Sequence, residues 1–208
     1  MRIGDGVRPK TKLPHTRCGG YISSSMPASA SVLLDARAVA RTLKRMAEQI
    51  VELNDGTEGL VLVGIQRRGV QLSDRIAAHI AASESVTLPR GELDITLYRD
   101  DLQAVGSLPV VGRTKLPLQL DGKCVVIIDD VLFTGRTVRA ALDELTDFGR
   151  PARIALAVLV DRGGRELPIH ADVIGKTVDI PRGGRVDVSV AELDGRDEVT
   201  ITHVGARS

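Results

Sequence analysis

The segment VVIIDDVLFTGRT, residues 125–137, carries the clearest chemical pattern in the sequence. An apolar run ends in two adjacent acids, Asp129 and Asp130, and a short loop then leads through Gly135 into a predicted helix. A helix N-terminus presents unpaired backbone N–H groups and the positive end of the helix dipole, so it favours a bound anion. In open α/β sheets, ligands bind beyond the carboxyl ends of the strands. The pattern therefore predicts a phosphate site with two carboxylates beside it.

The two carboxylates restrict which phosphate compound fits. Adjacent acids repel a nucleoside triphosphate unless they meet a metal or hydroxyl groups, whereas they can accept hydrogen bonds from the diol of a ribose monophosphate. Neither a G-x-x-x-x-G-K-[ST] phosphate loop nor a G-x-G-x-x-G dinucleotide motif occurs in the chain. The structural alternative is that Asp129 and Asp130 only cap a turn and that Thr134 only begins a helix. The order of strand, two acids, three apolar residues and Thr-Gly-Arg-Thr favours the binding site.

The elements that would position this loop alternate along the chain between strands and helices. Apolar residues at helical spacing predict one helix from the N-cap Asp35 to Asn54 and another to about Ala82. Alternation around Asp194-Gly195 predicts a C-terminal β-hairpin. Further strands are predicted at residues 60–65, 93–98, 124–128, 153–160 and 172–175, and a further helix at 136–148. This order indicates an α/β protein with a mostly parallel central sheet and helices on both faces.

Composition limits the class of protein. The chain has 208 residues, of which 43% are hydrophobic and 26% charged, as in one soluble globular domain. No apolar run approaches the roughly 20 residues that span a bilayer, so we expect no membrane role. With two Tyr, two Phe and no Trp, an aromatic platform for single-stranded nucleic acid is not expected. The two cysteines have no metal-ligand spacing, and we expect a reducing, cytoplasmic compartment.

Residues 1–30 are expected to form a disordered N-terminal extension before a single domain over residues 31–208. They mix Gly, Pro, Ser and basic residues without apolar periodicity. The first 25 residues have a net charge of +4 whereas the whole chain has +1, so the rest of the chain is mildly acidic. That balance supplies no bulk attraction to nucleic acid, although it allows a local basic patch.

Residues 125–137 resemble the 5-phosphoribosyl-1-pyrophosphate (PRPP) motif of type I phosphoribosyltransferases. Three further segments are similar to the PyrR family, whose members are bifunctional pyrimidine operon regulators with uracil phosphoribosyltransferase activity. They are VGIQRRG (63–69), DITLYRDDL (94–102) and GRPARIALAVLVDRGGRELPIHADVIGK (149–176). The resemblance covers about residues 33–204. It implies the type I phosphoribosyltransferase fold with a mobile hood, and the reaction uracil + PRPP → UMP + pyrophosphate.

The resemblance also implies the PRPP site. Asp129 and Asp130 would hold the ribose hydroxyls, and Arg67 and Arg68 would contact pyrophosphate, since guanidinium groups match phosphate oxygens in bidentate geometry. Arg99 in the hood would complete the catalytic set. The other implied PRPP contacts are Val131, Leu132, Phe133, Thr134, Gly135, Arg136 and Thr137. Mg²⁺ would accompany PRPP, with the ligand oxygens supplying most of its coordination and no dedicated protein cage.

A lid over the base is expected across residues 161–181. Its candidates by position are Arg162, Lys176 and Val178. The lid and the motif DITLYRDDL are the features that favour uracil. A phosphoribosyltransferase for another base, such as a purine or orotate, therefore stays open as an alternative.

The resemblance implies a second activity, in which UMP controls binding of the pyr leader RNA. The basic surface for that RNA would belong to a homodimer or a higher homo-oligomer, with Lys44, Arg45 and Arg165 as candidates. The sequence departs from the family pattern at Glu48 and Gly164, where members commonly carry histidine. An acid on a phosphate-facing surface lowers affinity directly. A non-catalytic, RNA-binding regulator of pyrimidine genes is the other alternative.

Overall fold

The computed structural model describes residues 29–98, 114–117, 119–181 and 183–203. Its helices are α1 (Ala36–Leu53), α2 (Arg68–Glu84), α3 (Arg136–Thr146) and α4 (Ala191–Asp194). Its strands are β1 (Ser29–Leu34), β2 (Leu60–Ile65), β3 (Arg90–Leu93), β4 (Cys124–Leu132), β5 (Arg153–Asp161), β6 (Val173–Thr177), β7 (Arg185–Ser189) and β8 (Glu198–His203). Within these ranges, no helix is both long and apolar enough to cross a bilayer.

Five parallel strands form the central sheet in the order β3-β2-β4-β5-β6. Parallel sheets are covered on both faces, which is why β2 and the first part of β4 are near-continuous apolar runs. Alternate residues of β2 enter opposite cores: Leu60 and Leu62 pack with α1 and α2, whereas Val61 and Val63 pack with α3. This architecture confirms the expected fold class.

The helices confirm the sequence prediction. The N-cap and the apolar spacing that predict a helix both lie within the helical segment itself. Asp35 caps α1, and its carboxylate accepts a hydrogen bond of 2.7 Å from the Ala38 N–H. The apolar face of α1 is buried, with Leu43 and Ile50 almost inaccessible to solvent. Such side chains each contribute roughly 1.5–3 kcal/mol by their burial. Helix α3 ends at Thr146, two residues before the predicted end.

A second, antiparallel sheet of three strands has the order β1-β8-β7. The predicted C-terminal hairpin is confirmed as β7 and β8, with the short helix α4 in the connection. Strand β1 was not predicted, and it begins at Ser29, inside the expected extension. It is paired with β8, far away along the chain, and its Val32 is 58% exposed, so it lacks a strong local signal. Residues 1–28 lie outside the described residues.

Two of the wrongly predicted strand boundaries lie at the site. The strand expected at 93–98 ends at Leu93, and residues Ile95–Tyr98 form a 3₁₀ helix. Asp94 causes the change because its carboxylate accepts the Thr96 N–H at 3.0 Å, a local bond that competes with strand pairing. Strand β4 does not end before the two acids but runs through them to Leu132. Asp129 itself lies opposite Val158 of β5.

Candidate functional site

A polar cleft lies at the carboxyl ends of β2 and β4, with a volume of about 260 Å³. It brings together six of the predicted PRPP residues, namely Arg67, Arg68, Asp129, Asp130, Val131 and Thr137. The other lining residues are Ile65, Gln66, Asp94, Ile95 and Thr96. This is the edge of the sheet at which ligands bind in open α/β proteins. Arg99 lies outside the described residues.

The two adjacent acids form one side of the cleft. Asp129 is almost fully buried, and its carboxylate accepts a hydrogen bond of 2.9 Å from the Asp130 N–H. Burial and then the neighbouring Asp130 charge raise the pKa of Asp129 well above its usual range. Burial also raises the pKa of Asp130, while the Val131 N–H and the Arg68 charge oppose that rise. Carboxyl oxygens at this side of the cleft can accept hydrogen bonds from the hydroxyl groups of a ligand.

The loop from β4 to α3 has the geometry of an anion site. Gly135 has a φ of +92°, and α3 begins at the next residue. A side chain there would be strained, and a Cβ would meet Leu167 and Ile169 at 3.4 Å. Thr134 Oγ1 accepts the Arg136 N–H at 3.3 Å, and the other N–H groups of the first turn have no partner within the helix. The predicted phosphate loop therefore lies where a helix N-terminus meets the cleft.

Five predicted residues of that loop are not among those that line the cleft, namely Leu132, Phe133, Thr134, Gly135 and Arg136. Leu132 is buried in the core formed with α3, so its side chain contributes packing. Phe133 is 43% exposed, and the Arg162 guanidinium lies 4.0 Å from its ring centroid. Arg136 pairs with Glu166 at 2.7 Å. These side chains hold the loop in place from outside the cleft.

The loop after β2 forms the opposite side of the cleft. Its peptide bond between Gln66 and Arg67 is cis, and α2 begins at Arg68. Arg67 is exposed, while the Arg68 guanidinium donates two hydrogen bonds to Asp194, from Nε at 3.2 Å and from Nη2 at 3.1 Å. The charge on Arg68 acts on Asp130 across the cleft. Cationic and acidic groups thus face one another over a small polar space.

Sequence reasoning missed Asp94 and Thr96 as residues of the cleft, whereas Gln66 belongs to the loop that the resemblance assigns to pyrophosphate. Asp94 is buried, and its carboxylate accepts from both the N–H and the hydroxyl of Thr96. Gln66 Nε2 donates to Glu92 at 3.3 Å. The Asp-x-Thr pattern at 94–96 is an available signal for a turn, because an Asp side chain commonly bonds the N–H two residues on.

The segment after β5 braces the phosphate loop. The Thr134 carbonyl accepts the N–H groups of Glu166 at 3.0 Å and of Leu167 at 3.1 Å. Arg165 pairs with Asp161 and donates to the carbonyl oxygens of Phe133, Gly163 and Ile169. These contacts use four of the five N–H groups of its guanidinium. Arg165 therefore braces the site, and its part in an RNA surface stays a prediction.

The three lid candidates lie at different places. Arg162 Nη2 donates to the Gly184 carbonyl at 2.8 Å, and burial lowers the pKa of Arg162. Val178 is half-buried, and its N–H donates to the Asp161 carbonyl at 2.8 Å. Lys176 is exposed on β6. The lid residues therefore lie around the end of β5 and β6 and do not line the polar cleft.

The remaining RNA candidates, Arg45 and Lys44, differ in their contacts with the rest of the chain. Arg45 donates to the Gly175 carbonyl of β6 and to Gln49, so it links α1 to the sheet. Lys44 is exposed on α1 beside Glu48 and lines a groove between α1 and α2. Of the two, Lys44 is the cation available to an external ligand.

This combination of sheet, paired acids and phosphate loop defines a class of enzyme. The model of the phosphoribosyl transferase domain matches residues 29–191. Among solved structures, a ternary substrate complex of the hypoxanthine phosphoribosyltransferase of Trypanosoma cruzi superposes with a TM-score of 0.65. It is 18% identical and covers 85% of this chain and 96% of its own, so it supports the fold. The chain belongs to the phosphoribosyltransferase domain family.

Sequence relatives narrow the family further. The bifunctional protein PyrR of Thermus aquaticus is 57% identical over 169 residues, which cover 81% of this chain and 93% of that protein. The bifunctional protein PyrR of Chloroflexus aurantiacus matches with the same identity and coverage. Within the phosphoribosyltransferases, the chain is therefore a member of the PyrR family. This confirms the family and the enzyme class expected from the sequence.

Proposed function

We propose that the cleft binds PRPP and that the protein transfers its phosphoribosyl group to uracil, giving UMP and pyrophosphate. The observation that carries the proposal is the position of Asp129 and Asp130 between the helix α3 N-terminus and the loop of Arg67 and Arg68. A pentose with a phosphate at one end and a pyrophosphate at the other needs this order of groups. The membership in the PyrR family supports uracil as the base.

In this proposal each part of the cleft binds one part of PRPP. The buried Asp129 and the half-buried Asp130 accept hydrogen bonds from the two ribose hydroxyls. The backbone N–H groups and hydroxyls of residues 134–137 hold the 5-phosphate at the α3 N-terminus. Arg68, with Arg67 beside it, contacts the pyrophosphate through guanidinium N–H groups.

The reaction develops two opposite charges. The bond from ribose C1 to pyrophosphate breaks, the bond from C1 to uracil N1 forms, and the N1 proton leaves to the solvent or the pyrophosphate. Positive charge grows on the ribose ring beside the two acids, and negative charge grows on the pyrophosphate beside Arg68. Both are stabilised by groups that the fold has already oriented. Arg99, outside the described residues, is proposed as a further cation for the pyrophosphate.

The donor set fits a magnesium ion that arrives with the substrate. Hard oxygen ligands suit Mg²⁺, which keeps several waters and binds substrate phosphates with few protein carboxylates. Among the described residues, no group of three or more His, Cys, Asp or Glu side chains is placed to hold a metal. Asp129, Asp130 and Asp94 are the carboxylates that line the cleft. The ion would neutralise charge on the pyrophosphate.

The first experiment tests the base. Uracil, hypoxanthine and orotate are supplied in parallel with PRPP and Mg²⁺, and nucleotide formation is followed by chromatography. We expect kcat/KM for uracil to exceed the values for the other two bases by at least about 10²-fold, because a site that hydrogen-bonds one base edge discriminates strongly. A preference for hypoxanthine or orotate would overturn the choice of base. No turnover with any of the three would overturn the enzyme proposal.

We also propose that the protein binds the pyr leader RNA under control of UMP, as a homodimer or a higher homo-oligomer. In a filter-binding titration we expect UMP to strengthen binding. Lys44→Ala should weaken it and lower the slope of log K against log salt by about one, as expected for one lost phosphate contact. Lys123→Ala is the control, because Lys123 lies immediately before β4 and does not line the groove that contains Lys44. Failure of UMP to affect binding would contradict this second activity.

A further inference from the structure

The connection between β7 and β8 is tied to helix α2 by arginine–carboxylate pairs. Asp194 in this connection accepts both the Nε and the Nη2 hydrogen bonds of Arg68. Two turns further along α2, Arg75 donates to Glu192 from Nε at 2.9 Å and to Asp197 from Nη2 at 2.8 Å. Residues seven apart lie on the same face of a helix. The C-terminal sheet therefore holds two arginines of one helix face.

The two arginines differ in what else they reach. Arg68 lines the cleft opposite Asp130, whereas Arg75 does not line it. The side chains of the Arg68–Asp194 pair are 39% and 27% exposed, so the pair lies at the rim and is open to an entering ligand. An exposed pair of this kind contributes little to folding stability. The geometry of the Arg68–Asp194 pair therefore affects the position of a cleft residue more than it affects the stability of the fold.

Asp194 holds one edge of the Arg68 guanidinium and leaves the other edge available. The carboxylate is itself fixed, because Oδ2 also accepts the Val190 N–H at 2.9 Å. Among the described residues, Nη1 of Arg68 has no hydrogen-bond partner. A guanidinium can bind two anions at once because its five N–H groups point outward in one plane. The pair therefore fixes the plane of the Arg68 guanidinium and the direction that its Nη1 edge faces.

We propose that Asp194 is a positioning residue of the reaction: it orients Arg68 so that the Nη1 edge of the guanidinium meets the pyrophosphate oxygens of PRPP. The inference rests on the proposed function. Asp194 touches neither substrate in this arrangement and acts only through Arg68. Without it, Arg68 keeps its charge but must lose rotamer freedom when pyrophosphate binds, which weakens binding.

The test compares Asp194→Asn with a matched control, Asp197→Asn. Both aspartates accept a backbone N–H in the same connection and pair with an arginine of α2. We expect Asp194→Asn to raise KM for PRPP by about fivefold, the scale of one exposed, well-oriented ion pair, with KM for uracil unchanged. Asp197→Asn should leave both KM values unchanged. Asp194→Glu, which restores the carboxylate one methylene further out, should recover part of the loss.

A double-variant cycle separates positioning from a merely structural role. In an Arg68→Ala background, Asp194→Asn should have no further effect on KM for PRPP, because the residue it positions is gone. Calorimetry with Mg²⁺-pyrophosphate gives the same comparison without turnover. An unchanged or lowered KM in Asp194→Asn, or an equal effect in both backgrounds, would overturn the inference. Wild-type protein that forms no UMP would instead overturn the proposed function, so the two failures are distinguishable.

Discussion

Asp130→Asn is expected to lower kcat for UMP formation on the order of 10²-fold or more, while the protein stays folded. Asparagine has nearly the same shape but lacks the charge that would stabilise the growing positive charge on the ribose, and loss of one such group typically costs this much. Asp130 lines the cleft beside Asp129, and the Arg68 charge acts on it, so we expect it to lie close to both developing charges. Steady-state UMP formation from uracil and PRPP measures the effect.

The same variant should melt at or above the wild-type Tm near pH 7. Burial raises the pKa of Asp130 and of Asp129, so each carboxyl favours folding when protonated and opposes it when charged. That stability is fully present below the unfolded pKa of about 3.9 and is lost as pH rises through the folded pKa. The Asp130→Asn variant does not lose stability in this way as the pH rises. The difference in Tm between the variant and the wild type should therefore shrink as the pH falls toward 4. Thermal melts between pH 4 and 8 check the sign.

The control is Asp172→Asn, a carboxylate at the opposite edge of the sheet. Asp172 accepts the Leu156 N–H at 2.9 Å and lies immediately before β6. Its replacement should change stability while leaving kcat and KM for PRPP near wild type. Near wild-type conversion of uracil by Asp130→Asn would contradict the role of the paired acids.

The parts of the site that follow from local sequence were predictable. Residues 125–137 contain the strand, both acids, the positive-φ glycine and the helix start in one contiguous segment, and the structure places the acids and the helix start at the same end of β4, although the strand itself runs on to Leu132. The periodicity of α1 is equally local. A structural pattern that depends only on neighbouring residues can be read in full from a short stretch of sequence.

The parts that depend on distant pairing were not predictable in this way. Strand β1 is defined by its pairing of Ser29 with His203, and its own sequence is weakly patterned. Arg45 and Arg165 are basic residues that the sequence predicts for an RNA surface. In the structure, however, Arg45 donates to the Gly175 carbonyl of β6 and Arg165 donates to the Ile169 carbonyl. Whether an arginine is free or structural is decided by such contacts, which sequence spacing does not contain.

The second large effect is expected at Gly69, the second residue of α2. By intrinsic propensity alone, Gly69→Ala should stabilise a helix by about 1 kcal/mol. The packing predicts the opposite, because a Cβ at this position would lie 2.4 Å from the Ile128 carbonyl oxygen and 3.4 Å from the Asp129 Cα. Both atoms belong to the backbone of β4 and cannot turn aside as a flexible side chain can. Glycine therefore allows α2 to approach the strand that carries the paired acids.

We expect Gly69→Ala to lower the free energy of unfolding by about 3 kcal/mol, the upper end for overpacking, and to raise KM for PRPP. The KM effect follows because relieving the clash must displace either Arg68 or Asp129, on opposite sides of the cleft. Gly122→Ala is the control: its φ is +70° and nothing lies within 4 Å of the added Cβ. It should lose only the roughly 1–2 kcal/mol of a left-handed alanine, with normal kinetics. A Gly69→Ala protein as stable as wild type would show that α2 can move away from β4 without cost, and the close approach would then have no role in aligning the cleft.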